Sequence, residues 1–260
     1  MNDVFDNLKK IEEQIKQVHA KFGAIKKLPS YTQEFQDSTK ELLKVADKLS
    51  RRLDAFRLRN AVVDMDGTLA DLYGVDKWID DLDNKRTRPY EVAKPMMNIP
   101  KINKALREMN VVVATWLSKV TDETFDKAVI VAKKGWLKKY DFKYNSFAPM
   151  SYGTNKGDAV KKRKLLTKGL SLLIDDDPRV RDSWQLGPKI DPTKFDTSQV
   201  VTDYIKTFVT LQNSIDSIKT HMRKQIKEMR VVPKRPKTTG TSLFVDDDDD
   251  INKSYGFTSK

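Results

Sequence analysis

The chain contains no cysteine, few histidines and no long apolar run. The lack of cysteine excludes disulfide bonds and thiolate metal sites, and it is compatible with a reducing compartment. Both histidines, His19 and His221, fall in predicted helices away from the motifs described below, so histidine-based catalysis is not expected. No apolar stretch approaches the roughly 20 residues needed to span a bilayer, and the N-terminus is too polar for a signal peptide. We therefore expect a soluble, cytoplasmic protein that does not act at a membrane.

Length and charge set the outer bounds of the fold and of its partners. With 260 residues, the chain can bury a full α/β core and still carry a second, smaller element. Its net charge of +12 favours an anionic partner such as a nucleotide, a nucleic acid or an acidic protein surface. A lysine-rich surface that only maintains solubility is the alternative interpretation.

The most informative stretch is NAVVDMDGTLAD, from Asn60 to Asp71. A short apolar run predicts a buried strand, and Asp64 and Asp66 follow it before a tight turn at Gly67. Ligands of open α/β sheets bind at this carboxyl edge of the strands. Two carboxylates beside a hard dication suit phosphoryl transfer, because one can attack phosphorus while the other carries the proton of the leaving oxygen. A solvated acidic turn is the alternative for this stretch alone.

Three more motifs follow in order, each at the end of a predicted strand. Thr115 ends the apolar run of VVVATWLS, Lys156 stands at the entrance of a helix in YGTNKGDAV, and Asp175, Asp176 and Asp177 end the strand of GLSLLIDDDPRV. Strands that alternate with helices predict a parallel sheet, so all four motifs should meet at one edge of it.

This order of motifs resembles the haloacid dehalogenase-like phosphohydrolase superfamily, whose signature is DxDGT, a Thr or Ser, a Lys and a paired acid. The resemblance covers residues 59 to 187, roughly half the chain. The segments DMDGTLADLYG, TRPYEVAKPMMN, TWLSK, YGTNK and IDDDPRVRDSW are most similar to the small phage and bacterial proteins grouped with 5'(3')-deoxyribonucleotidases. It implies a Rossmann-like parallel sheet with a small cap and, for a phage protein, a location in the host cytoplasm or the virion.

The resemblance also implies a role for each motif residue. Asp64 would be the nucleophile and Asp66 the general acid and base, while Thr115, Lys156 and Gly67 would bind the phosphoryl group. The cofactor would be Mg²⁺, held by Asp64, the backbone carbonyl of Asp66 and Asp175, while Asp176 would either bind the ion directly or support these ligands. The run of three aspartates leaves the metal assignment open by one residue, and Lys161 or Lys162 is an alternative to Lys156.

An insertion at about 72–100 separates the first two motifs and corresponds to the cap of similar proteins, which sets the substrate. The candidate substrate contacts are Tyr73 and Arg88 in the insertion and Trp116 beside the second motif, because aromatic rings stack on bases and arginine pairs with phosphate. Alternatively, Trp78 and its apolar neighbours form the core of the cap, and Trp116 has a packing role.

Helical segments flank the central domain, which we place at 58–190. Heptad-spaced apolar residues predict a helical hairpin at 1–57 and an amphipathic helix at 196–230. Ser30 and Gln33 predict a capping box at the start of the second helix. We expect the three seams to form an intramolecular bundle. The alternative is a coiled coil between chains, and hence a homo-oligomer or a protein partner.

Residues 231–260 are expected to be disordered. The basic segment 219–237 and the acidic run 246–250 are interpreted as solvated, or alternatively as an arm for nucleic acid or a protein partner.

The sequence thus predicts an Mg²⁺-dependent phosphomonoester hydrolase that acts on a nucleotide monophosphate through an aspartyl-phosphate. Two alternatives remain open at this point. One is a phage structural, assembly or interaction protein that uses the same fold as a scaffold with coiled-coil helices. The other is a phosphatase that acts on polynucleotide ends.

Overall fold

The computed structural model of the protein describes residues 2–30, 32–119 and 122–229. The acidic run 246–250, the tail 231–260 that contains it and the end of the basic segment 219–237 lie outside the described residues.

The centre of the fold is a parallel β-sheet. Its strands are β1 (Leu58–Val63), β2 (Asn110–Trp116), β3 (Ser146–Met150), β4 (Leu170–Ile174) and β5 (Lys189–Ile190). They lie in the order β3-β2-β1-β4-β5, and every neighbouring pair is parallel. Helices flank the sheet, so the predicted α/β class with a parallel sheet is confirmed, and the topology is compatible with a Rossmann-like fold.

Nine helices occur in the described part of the chain. They are α1 (Asn2–Ile25), α2 (Gln33–Asp54), α3 (Trp78–Asp83), α4 (Arg88–Val92), α5 (Ile99–Leu106), α6 (Glu123–Lys139), α7 (Lys156–Lys162), α8 (Pro178–Ser183) and α9 (Thr197–Met229). None of the helices in the described ranges is both long and apolar enough to cross a bilayer.

Both faces of the sheet are covered, which explains why its strands are almost continuously apolar. Ala61 and Val63 face one side, where they share a core with α5, α6 and the long helices α1, α2 and α9. Val62 lies between them and faces the other side, where the core includes Val160 of α7 and Val180 of α8. Successive side chains of a strand alternate in this way, so one apolar run supplies both layers.

The helices α1, α2 and α9 pack together along their apolar seams within one chain. The seam residues that are buried are Leu8, Ile11, Ile15, Val18 and Phe22 of α1, Leu42, Ala46, Leu49 and Leu53 of α2, and Tyr204, Phe208, Leu211, Ile215, Ile218 and Met222 of α9. At the end nearest the sheet, the Tyr204 hydroxyl donates a 2.5 Å hydrogen bond to the carbonyl of Phe56. This bond ties the bundle to the segment that leads into β1.

The start of α2 differs from the prediction. Its N-cap is Thr32, whose hydroxyl accepts a hydrogen bond of 3.2 Å from the backbone N–H of Phe35. The predicted capping box of Ser30 and Gln33 is therefore wrong, because Gln33 is already the first residue of the helix. A threonine two positions later makes the same kind of cap, which spacing alone does not distinguish.

The insertion forms the short helices α3 and α4 and is fixed at its base. The backbone N–H of Asp71 donates to the carbonyl of Lys94 at 2.8 Å, which closes the insertion into a loop. The indole N–H of Trp136 in α6 donates to the carbonyl of Ala93 at 2.7 Å, and Tyr90 is buried against the same helix. The insertion is therefore held against α6 beside the carboxyl ends of the strands.

The strand order reverses at β1. The chain runs outward from β1 to β2 and β3, and then returns to place β4 on the other side of β1. Ligands of open α/β sheets bind in the crevice at such a reversal, outside the carboxyl ends of the strands. The residues that directly follow β1 and β4 are Asp64 and Asp175.

Candidate active site

Three carboxylates meet at the reversal of the strand order. Asp64 follows β1, and Asp175 and Asp176 follow β4, which pairs with β1 residue by residue as far as Val63 and Ile174. Each residue offers one carboxylate oxygen, and these atoms all lie within 4.8 Å of one another. Clustered carboxylate oxygens are the ligands of hard dications such as Mg²⁺ and Ca²⁺. This group could therefore hold a metal ion, and its donor chemistry fits a dication.

Lys156 lies between two of these carboxylates. It is the first residue of α7, after the N-cap Asn155, and its side chain is 2% exposed. Its Nζ is 2.6 Å from Asp64 Oδ1 and 2.7 Å from Asp175 Oδ2. By contrast, Lys161 and Lys162 are exposed at the far end of the same helix. The structure thus brings Lys156 to the carboxylates and leaves its two alternatives at the surface.

A second lysine, Lys133 of α6, occupies the other side of the site. Its Nζ donates to Asp66 Oδ2 at 2.5 Å, to Thr115 Oγ1 at 2.7 Å and to the carbonyl of Trp116 at 2.7 Å. The side chain is completely buried, and its ammonium also lies 4.8 Å from the centre of the Tyr90 ring. Three hydrogen bonds use all donors of an ammonium group, so Lys133 fixes Asp66 and Thr115 relative to each other.

Sequence reasoning missed Lys133, although the chain carries a signal for it. The residues of α6 that face the interior include Phe125, Val129 and Trp136. Position 133 is four residues after Val129 and three before Trp136, so a lysine interrupts the apolar face of a helix. A lysine at a buried position requires a partner, and that partner identifies a polar site within the core.

Asp66 has one satisfied and one unsatisfied oxygen. Its Oδ2 accepts the bond from Lys133, while Oδ1 is buried and has no hydrogen-bond partner within the described residues. Burial raises the pKa of Asp66 above its usual range, and the charge of Lys133 lowers it in part. A raised pKa favours the protonated carboxyl, which can release its proton to a neighbouring oxygen.

The carboxylates after β4 also have raised pKa values. Burial, followed by repulsion from Asp64, raises the pKa of Asp175 to about 7 and that of Asp176 to about 6. For Lys156, burial alone would lower the pKa, but the attraction of Asp64 and Asp175 outweighs it and raises the pKa. The group therefore carries unfavourable negative charge, which a bound cation would relieve.

The run of three aspartates separates into two roles. Asp176 Oδ1 accepts a hydrogen bond of 2.9 Å from the Thr68 hydroxyl, which orients it towards the group of three carboxylates. Asp177 is instead the N-cap of α8, where its side chain accepts from the backbone N–H of Arg179 at 2.8 Å. Asp175 and Asp176, but not Asp177, belong to the carboxylate group that the structure assembles.

Gly67 allows the loop after β1 to approach β4. Its φ is +76°, and a Cβ built on it would lie 2.4 Å from Asp176 Oδ2 and 2.5 Å from the Tyr73 ring. Any larger residue would displace one of these side chains, so Gly67 supports the site through close approach of the backbone.

A cavity of about 370 Å³ opens above these residues. Tyr73 and Trp78 of the insertion form one wall, with ring centres 5.3 Å apart. Trp116 and Tyr152 form a second stretch of its wall, with ring centres 5.0 Å apart. Tyr73 and Trp116, two of the substrate contacts predicted from the sequence, thus line the cavity. Trp78 also lines it and packs within the insertion.

The remaining predicted residues lie deeper or farther away. Thr115 lies within β2, one residue before its end, is fully buried and accepts the bond from Lys133. Arg88 holds the insertion together, because its guanidinium donates to the buried carboxylate of Asp81 at 2.5 Å and to the carbonyl of Asp76 at 2.6 Å. Its position indicates a structural contact inside the insertion.

No protein-family model matches this chain, and no curated protein matches it either.

Proposed function

We propose that the protein is a phosphomonoester hydrolase that resembles the haloacid dehalogenase-like enzymes and forms an aspartyl-phosphate on Asp64. The observation that carries this proposal is the contrast between two carboxylates two positions apart. Asp64 is paired with Lys156 beside two further carboxylates, whereas Asp66 is held by Lys133 and has a raised pKa. Two acids in different environments are suited to different roles, here nucleophile and proton carrier.

In the first step, a carboxylate oxygen of Asp64 attacks the phosphorus of the substrate. The new bond joins this oxygen to phosphorus, and the bond between phosphorus and the leaving oxygen breaks. Asp66 donates its proton to that leaving oxygen, so an alcohol departs. The raised pKa of Asp66 favours the protonated form that this step requires.

In the second step, Asp66 is the base. Its carboxylate removes a proton from water, the water oxygen attacks phosphorus, and the bond to Asp64 breaks. Inorganic phosphate leaves, and Asp66 is again protonated. Lys133 holds Asp66 Oδ2 in both steps and so keeps the carboxyl group in position.

The two buried lysines would stabilise the charge of the phosphoryl group. Lys156 lies beside Asp64 and Lys133 beside Asp66, so a phosphoryl group between the aspartates has an ammonium on either side. Fixed charges in a buried site stabilise a transition state more strongly than they would in water. Thr115 would act through Lys133, because its hydroxyl accepts a bond from that ammonium.

Asp64, Asp175 and Asp176 would hold the metal ion, which we propose to be Mg²⁺. When bound, it supplies positive charge that lets a phosphate dianion approach a carboxylate. Thr68 would keep Asp176 in position for this purpose.

A nucleotide is the substrate that fits the walls of the cavity. The volume of about 370 Å³ exceeds what a phosphoryl group needs and lies in the range of sites for small organic ligands. Aromatic side chains on both stretches of the wall offer surfaces on which a base can stack.

The proposal is tested by phosphate release from deoxyribonucleoside and ribonucleoside monophosphates, with Mg²⁺ or with EDTA. We expect Mg²⁺-dependent release by the native protein and its loss in Asp64→Asn. Asp182→Asn is the matched control, because Asp182 is 83% exposed on α8. Release by Asp64→Asn at the native rate would rule out the aspartyl-phosphate.

The scaffold alternative was motivated by the apolar seams of the flanking helices. In the structure these seams are buried within a single chain, and residues such as Ile11, Leu53 and Met222 are fully covered. A seam that is already buried offers little apolar surface to a partner. The flanking helices therefore give this alternative less support than their sequence did.

A further inference from the structure

Two cations from different elements meet at the mouth of the cavity. Lys119 lies in the loop after β2, and its Nζ is 4.8 Å from the centre of the Tyr152 ring. The guanidinium of Arg179 in α8 interacts electrostatically with the hydroxyl of the same tyrosine, and both cations line the cavity. The Tyr152 side chain is one of the exposed large residues of the protein, at 43%. The outer end of the cavity thus presents an exposed ring with two positive charges close to it.

The Arg179 side chain is held in this place from its own helix. Asp177 accepts a bond from its guanidinium at 2.6 Å, although the arginine is 74% exposed. A guanidinium has five N–H donors, so those not used by Asp177 can bind an oxyanion. Lys119 supplies the second charge, over the ring of Tyr152.

Two aromatic rings connect this mouth to the catalytic lysine. Lys156 Nζ is 5.0 Å from the centre of the Trp116 ring, and the Trp116 and Tyr152 ring centres are also 5.0 Å apart. The indole N–H of Trp116 donates to the carbonyl of Thr154 at 2.9 Å, which fixes the orientation of the ring. From the inside outward, the wall therefore presents the ammonium of Lys156, then the rings of Trp116 and Tyr152. The charges of Lys119 and Arg179 follow at the outer end.

This order matches a nucleoside with a phosphate on either side. Cations that follow the backbone and aromatic rings that stack with bases are how proteins bind single-stranded nucleic acids. We propose that the substrate carries a second phosphate on its leaving group, bound between Lys119 and Arg179 while the scissile phosphate lies beside Asp64. This inference rests on the proposed function and assigns the substrate class within it.

The cap side of the mouth leaves room for a longer substrate. Tyr73 and Ile79 line the cavity and are 54% and 55% exposed, so this edge opens to solvent. Either a nucleoside bisphosphate or the terminal linkage of an oligonucleotide supplies a second phosphate. In both cases two cations would bind the same kind of oxyanion.

The experiment compares kcat/KM for thymidine 5'-monophosphate, thymidine 3',5'-bisphosphate and hexathymidylate phosphorylated at its 5' or 3' end. We expect a preference of about tenfold or more for substrates with a second phosphate, the usual effect of a charge-assisted hydrogen bond. Lys119→Gln and Arg179→Gln should each reduce this ratio. Lys127→Gln, at an exposed position of α6, should leave it unchanged. An advantage confined to the oligonucleotides identifies a polynucleotide end, and an equal advantage for the bisphosphate identifies a small nucleotide.

Salt gives a second readout for the oligonucleotide. Each lost phosphate contact should make the plot of log affinity against log salt concentration less steep by about 0.7, the value for single strands. Equal kcat/KM for all substrates, or a preference that survives in both variants, would overturn the inference.

Direct binding separates this inference from the proposed function. If no substrate is hydrolysed, the hydrolase proposal fails, and tryptophan fluorescence of Asp64→Asn still measures binding of the same ligands. Tighter binding of the bisphosphate than of the monophosphate, lost in Lys119→Gln with Arg179→Gln, would support the second phosphate site. Equal binding of the monophosphate, the bisphosphate and the oligonucleotides would disprove it.

Discussion

Lys133 Nζ donates a hydrogen bond of 2.5 Å to Asp66 Oδ2, although the two residues are 67 positions apart in the chain. The bond joins the loop after β1 to the middle of α6, and the Thr115 hydroxyl accepts from the same ammonium. The residue proposed to carry the proton is therefore positioned by a helix that contains none of the four motifs. Several consequences of the site and of the fold around it can be measured.

Replacement of Lys133 by methionine should impair catalysis and shift its pH dependence. Loss of a group that positions the general acid should lower kcat/KM by about 10²- to 10⁴-fold, the range of general acid–base catalysis. Because the charge of Lys133 lowers the pKa of Asp66, its removal should raise that pKa further. Asp66 would keep its proton to higher pH, so the alkaline limb of the kcat/KM profile should shift to higher pH.

The matched control is Lys134→Met, which changes the next residue of α6 at an exposed position. It should retain native kinetics. An unchanged alkaline limb in a folded Lys133→Met protein would contradict the proposed coupling between Lys133 and Asp66.

Two glycine-to-alanine substitutions should have opposite effects on stability. Gly67→Ala places a Cβ 2.4 Å from Asp176 Oδ2 at a φ of +76°, so the free energy of unfolding should fall by at least about 1 kcal/mol. Gly135→Ala lies in α6 with nothing within 4 Å of the new Cβ, so it should stabilise the protein by about 0.5–1 kcal/mol. Urea unfolding of both variants measures the difference. A destabilised Gly135→Ala or an unaffected Gly67→Ala would show that the backbone conformations differ from those described.

Stabilisation by Mg²⁺ should depend on pH. Metal binding requires ionised carboxylates, and the pKa values of Asp175 and Asp176 are raised to about 7 and about 6. Protons therefore compete with the metal at pH 5 and much less at pH 8. A ligand at 100 times its dissociation constant stabilises the native state by about 2.7 kcal/mol. The upward shift of the thermal midpoint with Mg²⁺ should accordingly be large at pH 8 and small at pH 5.

Asp176→Asn should reduce the shift at pH 8, and Asp182→Asn, at an exposed position, should not. A shift of equal size at both pH values would indicate that the metal binds elsewhere.

The bundle of α1, α2 and α9 should stabilise the single chain. Ile11 is completely buried in the seam of α1, so Ile11→Ala should lower the free energy of unfolding by about 2–5 kcal/mol. Val45 of α2 is 43% exposed, and Val45→Ala should change the free energy of unfolding by less than about 0.5 kcal/mol. The thermal midpoint of the native protein should be independent of protein concentration. A midpoint that rises with concentration would instead indicate that the seams are buried between chains.

Much of the fold could be predicted from local patterns. Apolar runs ending in Asp64 and Asp175 predict buried strands, because a short strand covered on both faces is apolar at successive positions. Heptad spacing predicts the long flanking helices, because a helix that buries one face repeats its apolar residues every three or four positions. The start of α2 was placed two residues early, because Ser30 and Thr32 offer equivalent capping hydroxyls and only the backbone path selects one.

The side chains of the site were predicted unevenly. Asp64, Lys156, Asp175 and Asp176 come together as their motifs suggested, because each directly follows a strand or begins a helix at the same edge of the sheet. Lys133 lies in none of the motifs, and Lys119 and Arg179 stand within the segments TWLSK and IDDDPRVRDSW but receive no role from the sequence alone. Arg88, which resembles a phosphate ligand in sequence, is used by the buried Asp81 inside the insertion.

By itself, the sequence determined which residues end the strands and which faces of the helices are apolar, because both follow from periodicity along the chain. The tertiary structure decided which charges become partners. It paired Lys133 with Asp66 and Lys156 with Asp64 and Asp175, and it turned Asp177 away to cap a helix. Buried charges must find partners wherever the packing of the elements places them, and that placement depends on contacts far apart in sequence.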